Sequence, residues 1–341
     1  MPPLRTVLVG FGRVAAGYAT DAKMAEHYRY ITHAQVLRDH PGFQLIGVAD
    51  PDPDARKSAS ETWKVPHVAS SASELAADCD AEVLVLATPP ETRSSIISLF
   101  PHLRGLLIEK PVAYSTAEGK RIRNVLSSGN ITTCVNLWRR ADEFSQGLAQ
   151  GRLGELIGNV QAVQCLYGNG LMNCGIHLID QVRWLLGKVD HVRALGTPLS
   201  PEVPAPLGDI NLSFVMTFQS GIQATFTPLD FRCFRENSLD FIGTSGRLCI
   251  SLEGLSNRCW AVAPHRAMDG TQELPSEYSK SLESTAGHAY YRLYTNLADS
   301  ISGLAAPCCT IEEAIQTEEI ARAVLLSADR GGAAVVPGEP V

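Results

Sequence analysis

The sequence predicts an α/β protein in two parts: a doubly wound parallel sheet over residues 1–135, then an α+β domain over residues 136–341 with a large open, mainly antiparallel sheet. Three observations predict it. Short apolar strands alternate with helical patterns over the first part, as βαβ units require. A glycine motif joins the first strand to the first helical segment. After about residue 140 the strands lengthen and partly alternate, the pattern of a sheet with one covered face. A chain of 341 residues also exceeds what one hydrophobic core normally supports.

In the first part, strands are expected at TVLVG (6–10), QLIGVAD (44–50), EVLVLAT (82–88), GLLIEK (105–110) and ITTCVNL (131–137). These runs are continuously apolar, as suits strands covered on both faces. Helix starts carry caps: Asp52 followed by Pro53, and the boxes Ser71-x-x-Glu74 and Ser115-x-x-Glu118. Right-handed crossovers then follow from strands separated by helices. In the second part, LIGNVQAVQCLY, DINLSFVMTF, IQATFTPL, SLDFIG and RLCISLEG read as strands. Two helices stand out, Ile176–Leu186 and Thr310–Ser327; the latter opens with the box Thr310-x-x-Glu313 and is expected to pack back toward the first domain. Residues 331–341, GGAAVVPGEPV, read as a loose tail.

Composition narrows the function classes. Net charge is −7, from 29 basic and 36 acidic residues, without a Lys/Arg block, which argues against nucleic acid or an anionic membrane surface as a partner. No apolar run reaches the ~18 residues that span a bilayer. The opening MPPLRTVLVGFG runs into the glycine motif with no cleavage site, so a cytoplasmic location is expected. Nine cysteines include no C-x-x-C and mostly sit in apolar contexts, which fits buried thiols in a reducing compartment. Adjacent Cys308 and Cys309 read as packing residues. Neither metal-ligand spacing nor a nucleophile elbow occurs, so no metal and no covalent intermediate are expected.

The motif Gly10-x-Gly12-x-x-Ala15, with Phe11, Arg13 and Val14 between, has the form of a dinucleotide-binding Rossmann loop. Gly10 permits the tight turn, Gly12 lets the backbone approach a pyrophosphate, and Ala15 keeps the helix close to the sheet. Asp50 ends the second strand, where a carboxylate accepts from ribose hydroxyls and repels a 2′-phosphate; NAD is favoured, with NADP possible. Gly10 and Asp50 are 40 positions apart rather than ~20. The surplus, around residues 18–33, is an insertion: either a helical extension or a flap presenting Tyr28, Arg29, Tyr30 or His33.

ATPP (87–90) and IEKP (108–111) end the fourth and fifth strands, where open α/β sheets bind ligands. Ala87, Thr88 and Pro89 are therefore expected against the cofactor. Lys110 falls where a nicotinamide ring would lie, Pro111 biases it away from helical geometry, and Glu109 fixes or balances its charge. Desolvation lowers a lysine's pKa and lets it exchange a proton with an alcohol or ketone.

With these motifs in place, the chain resembles the glucose-fructose oxidoreductase / inositol dehydrogenase / MocA family of nicotinamide oxidoreductases. The resemblance rests on GFGRVA, VADPDPDA, ATPP, EKP, VNLWRR, GIHLID, GTSGRL and EEAIQTEEIARAVLLSA, and covers nearly the whole chain. It implies that Lys110 is the catalytic acid/base and that His177 of GIHLID acts on the reacting oxygen. It implies Asn136 at the cofactor, with Trp138 and Arg139 bordering the substrate. It also implies a homodimer or homotetramer joined through the second-domain sheet. Two positions depart from the family pattern: Asn173 replaces an aspartate four residues before His177, and Arg93 stands where a histidine commonly follows TPP. Asn173 is expected to cap the Ile176 helix from about Cys174 and to orient a hydroxyl. On that helix Ile179, Val182 and Leu186 form an apolar stripe, while His177, Asp180, Gln181 and Trp184 share another face. Asp180 orients His177 or serves the surface or a helix cap, and Tyr167 and Asn169 either contact a polyol or simply form the loop.

The function expected is an NAD(P)-dependent exchange of hydride with a secondary alcohol or ketone of a sugar, sugar derivative or cyclitol. The alternative is a dinucleotide-binding sensor of the same fold that has lost turnover, favoured by Asn173. A methyltransferase using the glycine loop explains neither Lys110 nor the second domain.

Overall fold

The computed structural model describes residues 2–127, 129, 131–199 and 208–339. The chain forms two compact units: residues 1–142 with 287–315, and residues 143–286 with 316–341.

The first unit is built on six parallel strands, β1 (Leu4–Val9), β2 (Phe43–Ala49), β3 (His67–Ala69), β4 (Val83–Leu86), β5 (Gly105–Ile108) and β6 (Thr132–Val135). Their order is β3-β2-β1-β4-β5-β6, so the chain reverses direction across the sheet between β1 and β4, the place where this fold binds ligands. The continuous apolar runs have a simple cause. Val7, Val9, Leu84, Leu86, Leu106 and Ile108 fill the core on one face, and Leu8, Val48, Val83, Val85, Leu107 and Cys134 fill the other. Edge strand β3 escapes sequence reading because it is three residues long and lies at least partly open to solvent.

The insertion interrupts the first crossover rather than lengthening a helix. After the glycine loop the chain makes one turn, with Ala16 N–H on the Gly12 carbonyl, and then departs. It returns at helix His33–Asp39, where His33 and Ala34 donate to the carbonyls of Val14 and Ala15. In an unbroken helix residues 18 and 19 would take those acceptors. Residues 18–32 are thus looped out, and the helix resumes. Thr32 and Gln35 form a capping box at the restart.

The large sheet of the second unit has eight strands: β7 (Val160–Tyr167), β8 (Val189–Leu199), β9 (Asn211–Phe218), β10 (Gln223–Pro228), β11 (Ser238–Gly243), β12 (Gly246–Ser251), β13 (Ser256–Ala261) and β14 (Ser279–Leu282). They lie in the order β14-β13-β12-β11-β7-β10-β9-β8, with β7 and β10 parallel and every other pair antiparallel. Burial alternates along β9 to β12, so one face is closed. There Phe214, Met216, Phe226 and Phe241 pack with Ile179 and Val182 of helix Ile176–Leu186 and with Ile320 and Val324 of helix Ile311–Asp329. Phe214 and Phe226 are cross-strand partners, stacked with centroids 4.3 Å apart.

The expected loose tail is instead fastened over its described part. Val335 is fully buried and exchanges backbone hydrogen bonds with Val192 on β8, while Ser327 Oγ donates to the Ala333 carbonyl. A glycine-rich composition hid one anchoring valine; residues 340–341 lie outside the described residues. Six of the nine cysteines are buried thiols, Cys309 among them, and the Cys134 and Cys308 sulfurs are 3.6 Å apart. Replacing Phe214 with Ala is expected to destabilise the protein by about 3–5 kcal/mol, because the stacked ring leaves a cavity that sheet backbone cannot fill; denaturant unfolding measures it.

Candidate active site

Four strand ends finish in one row. Gly10, Ala87, Glu109 and Asn136 each follow the last residue of β1, β4, β5 and β6, and those last residues are registered Val9 to Leu86, Leu86 to Ile108 and Ile108 to Val135. Backbone bonds continue past the strands: Ala87 N–H to the Val9 carbonyl, Glu109 N–H to Leu86 and Asn136 N–H to Ile108. The residues expected to meet a cofactor are therefore gathered at the carboxyl edge of the first unit's sheet.

At the β1 end, Gly10 adopts φ +88°, and a Cβ there would lie 2.6 Å from the Ala87 carbonyl oxygen. Glycine is required twice over, by conformation and by space. Gly12 is different: a Cβ added to it meets nothing within 4 Å, so this backbone faces open space. Among the described residues the N–H groups of Gly12, Arg13 and Val14 have no hydrogen-bond acceptor, which suits a loop that receives an anion. Asp50 supports the loop from β2. Its Oδ2 accepts from Phe11 N–H at 2.5 Å and its Oδ1 from Asp52 N–H at 2.8 Å. A carboxylate oxygen accepts more than one bond, so both remain able to take a ribose hydroxyl.

Two buried polar atoms at the same edge lack partners: Thr88 Oγ1 after β4 and Asn136 Oδ1 after β6. Unpaired buried acceptors are costly unless a ligand completes them. Together with the open Gly12 backbone, they fit a dinucleotide, which Gly10 to Val14 would hold at the pyrophosphate and Asp50 at the ribose.

Glu109 is the electrostatic centre. It is 7% exposed, and its Oε1 accepts from His33 Nε2 at 3.0 Å and from the Asn136 side-chain amide. Asn136 Nδ2 also reaches the Tyr290 hydroxyl at 2.6 Å. His33 Nδ1 contacts the Tyr294 hydroxyl at 2.8 Å. Burial is the largest single influence on Glu109 and favours its neutral form. The opposing set is larger in sum: His33 through its hydrogen bond and charge, Asn136, and the Lys110 ammonium hold the carboxyl below its usual range. Tyr290 and Tyr294 are pushed well above ordinary phenol values by burial and by the Glu109 charge.

Arg93 is 2% exposed, with its guanidinium turned onto backbone carbonyls. Nε and Nη2 donate to Thr88 at 3.0 and 2.6 Å; Nη1 donates to Glu109 at 2.6 Å and also to Pro111. It ties the segment after β4 to the segment after β5, on which Lys110 stands half-buried and joined to Pro111 by a cis peptide. Of the insertion residues, Tyr30 and His33 are buried inside the first unit rather than presented on a flap. Arg29 is exposed, and Tyr28 packs edge-on to Trp138, whose ring Arg139 covers at 4.4 Å.

In the second unit, the residues before His177 are organised differently from expectation. Asn173 is not the helix cap; its amide donates to the Asn169 carbonyl at 3.1 Å. The turn Leu171–Gly175 precedes helix Ile176–Leu186, and Asp209 caps it from the segment before β9, accepting from Met172 N–H at 3.0 Å and Asn173 N–H at 2.9 Å. A distant aspartate took the place of a local asparagine because the wide turn directs its N–H groups at that loop. Tyr167 is fully buried, and its hydroxyl is engaged by both the N–H and carbonyl of Leu212, so it is a core residue and not a polyol contact. Asp180 is 1% exposed and accepts from Thr317 Oγ1 at 2.9 Å; Gln181 donates to Ser145. His177 is half-buried in the first turn of the helix. Among the described residues, no group of three or more His, Cys, Asp or Glu is arranged to hold a metal ion, and no helix is long and apolar enough to cross a membrane.

Comparison with known proteins decides the family. Residues 4–136 match "Oxidoreductase family, NAD-binding Rossmann fold" and residues 167–336 match "Oxidoreductase family, C-terminal alpha/beta domain". The chain belongs to the glucose-fructose oxidoreductase / inositol dehydrogenase / MocA family. It is 21% identical to trans-1,2-dihydrobenzene-1,2-diol dehydrogenase of Mus musculus over 54% of this chain and 60% of that one. It is 25% identical to inositol 2-dehydrogenase of Rhizobium meliloti over 56% and 63%. The matched stretches thus span less than two thirds of those proteins. The fold is also that of the WlbA dehydrogenase of Bordetella pertussis, solved with NADH and UDP-GlcNAcA (TM-score 0.72, 18% identity, 99% of both chains).

Gly10→Ala is expected to displace the Ala87 backbone and abolish dinucleotide binding, measured by NADH fluorescence beside a thermal melt. Arg93→Met is expected to cost about 3 kcal/mol or more, since several buried carbonyls lose a charged donor, and Arg93→Lys is not expected to restore it because one ammonium lacks the fork; denaturant unfolding checks both.

Proposed function

We propose that this protein is an NAD-dependent dehydrogenase acting on a secondary alcohol, or the matching ketone, of a sugar, sugar derivative or cyclitol. The observation that carries the reading is the row of strand ends, where the glycine loop, the unpartnered Thr88 and Asn136 oxygens and the Glu109–Lys110 pair share one edge. NAD supplies the hydride chemistry when bound. The chain's residues supply position and proton transfer. Lys110 takes the hydroxyl proton in oxidation and returns it in reduction, with Glu109 as its counter-charge. His177 and Asn173 hydrogen-bond the reacting oxygen. Trp138 and Arg139 border the sugar. The relatives named for diol and inositol oxidation support a polyol over an acyl or phosphoryl substrate. A homodimer or homotetramer through the open face of the eight-stranded sheet completes the proposal.

The test is turnover of a polyol and sugar panel, followed by reduced-nicotinamide absorbance. Lys110→Ala is expected to lower kcat by about 10²–10⁴-fold, the usual worth of a positioned acid/base, while NADH binding stays near wild type. Near-normal kcat in that variant refutes the mechanism. Tight NAD binding with no absorbance change for any substrate points instead to a dinucleotide sensor.

A further inference from the structure

We propose that His33, brought in by the resumed helix after the looped-out segment, is a positioning residue for proton transfer: with Asn136 and Tyr290 it holds Glu109 as the carboxylate that sets the charge beside Lys110. The proposal rests on the reading of Lys110 as acid/base. Its own basis is geometric. Two donors, His33 Nε2 and the Asn136 amide, converge on the single atom Glu109 Oε1. An oxygen that accepts twice belongs to an ionised carboxyl group, or to one whose proton lies elsewhere. His33 is fully buried, and its other nitrogen is held by the Tyr294 hydroxyl at 2.8 Å, so the ring cannot rotate without breaking both bonds.

Every element packed around Glu109 contributes. Helix His33–Asp39 supplies His33, the end of β6 supplies Asn136, and helix Ala289–Ile301 supplies Tyr290 and Tyr294. Glu109's own segment supplies Lys110, and Arg93 donates to the Glu109 backbone carbonyl. Both tyrosines are kept neutral by burial and by the carboxylate, so they add hydrogen-bond donors without adding charge. Removing His33 takes away the largest influence opposing burial at Glu109 and so favours its protonated form. Lys110 then loses the neighbouring anion that stabilises its ammonium. Its titration moves to lower pH.

The measurement is competitive acetylation of the full-length protein with acetic anhydride across pH, reading the Lys110 peptide by mass spectrometry. It needs no substrate, so it stands apart from the Lys110→Ala turnover test of the proposed function. Glu109→Gln and His33→Leu are each expected to lower the Lys110 half-labelling pH by about 1 unit or more, the usual effect of one close opposite charge. The double variant is expected to show no further shift. His33→Gln, which keeps a hydrogen-bond donor for Glu109 but not the charge, is expected to recover part of the shift. A merely structural role for His33 would lower the melting temperature without moving this pH. An unshifted Lys110 in folded His33→Leu overturns the proposal. Should that variant fail to fold, near-isosteric Glu109→Gln decides: an unshifted Lys110 there overturns it equally.

Discussion

A carboxylate buried at the end of a parallel strand constrains everything around it. Glu109 is almost sealed from water, and a lone ion there would carry a large desolvation cost. The fold meets that cost with donors from two segments besides its own: His33 and Asn136, with the Lys110 charge beside them. Each donor fixes a segment. His33 anchors the resumed helix, Asn136 anchors the end of β6, and through Asn136 the hydroxyl of Tyr290 draws in helix Ala289–Ile301. An electrostatic requirement at one atom therefore organises much of the first unit's carboxyl edge.

Arg93 acts on the same edge by another route. Its fork spans the segments after β4 and β5, using backbone carbonyls that the sheet itself leaves unpaired. A histidine cannot reach so many acceptors. Where the family pattern has a histidine, this chain has a fork that ties the loop carrying Thr88 to the loop carrying Lys110.

The second unit shows the same economy of polar groups. Asp209 caps the turn before His177 from outside the helix, and Asp180 is occupied by Thr317. Asn173 keeps its backbone N–H in that cap and its side chain on Asn169. The turn that leads to His177 is held by side chains that never face it in sequence.

The sequence alone was enough for the strand runs, the glycine loop, the helix boxes and the EKP pair, because each is a local pattern whose spacing states its geometry. Apolar continuity in β1, β4 and β5 follows from two buried faces, and Gly10 from a backbone turn. Tertiary structure decided what those patterns touch. Tyr167 looked like a ligand contact beside a glycine-rich loop but closes on Leu212, and Asn173 looked like a cap until Asp209, 36 positions away, supplied one. The partners of His33 are 76 and 261 positions distant. Hydrogen bonding acts over about 3 Å of space and is indifferent to chain separation, so residue order could name the charged groups but not the donors that keep them ionised.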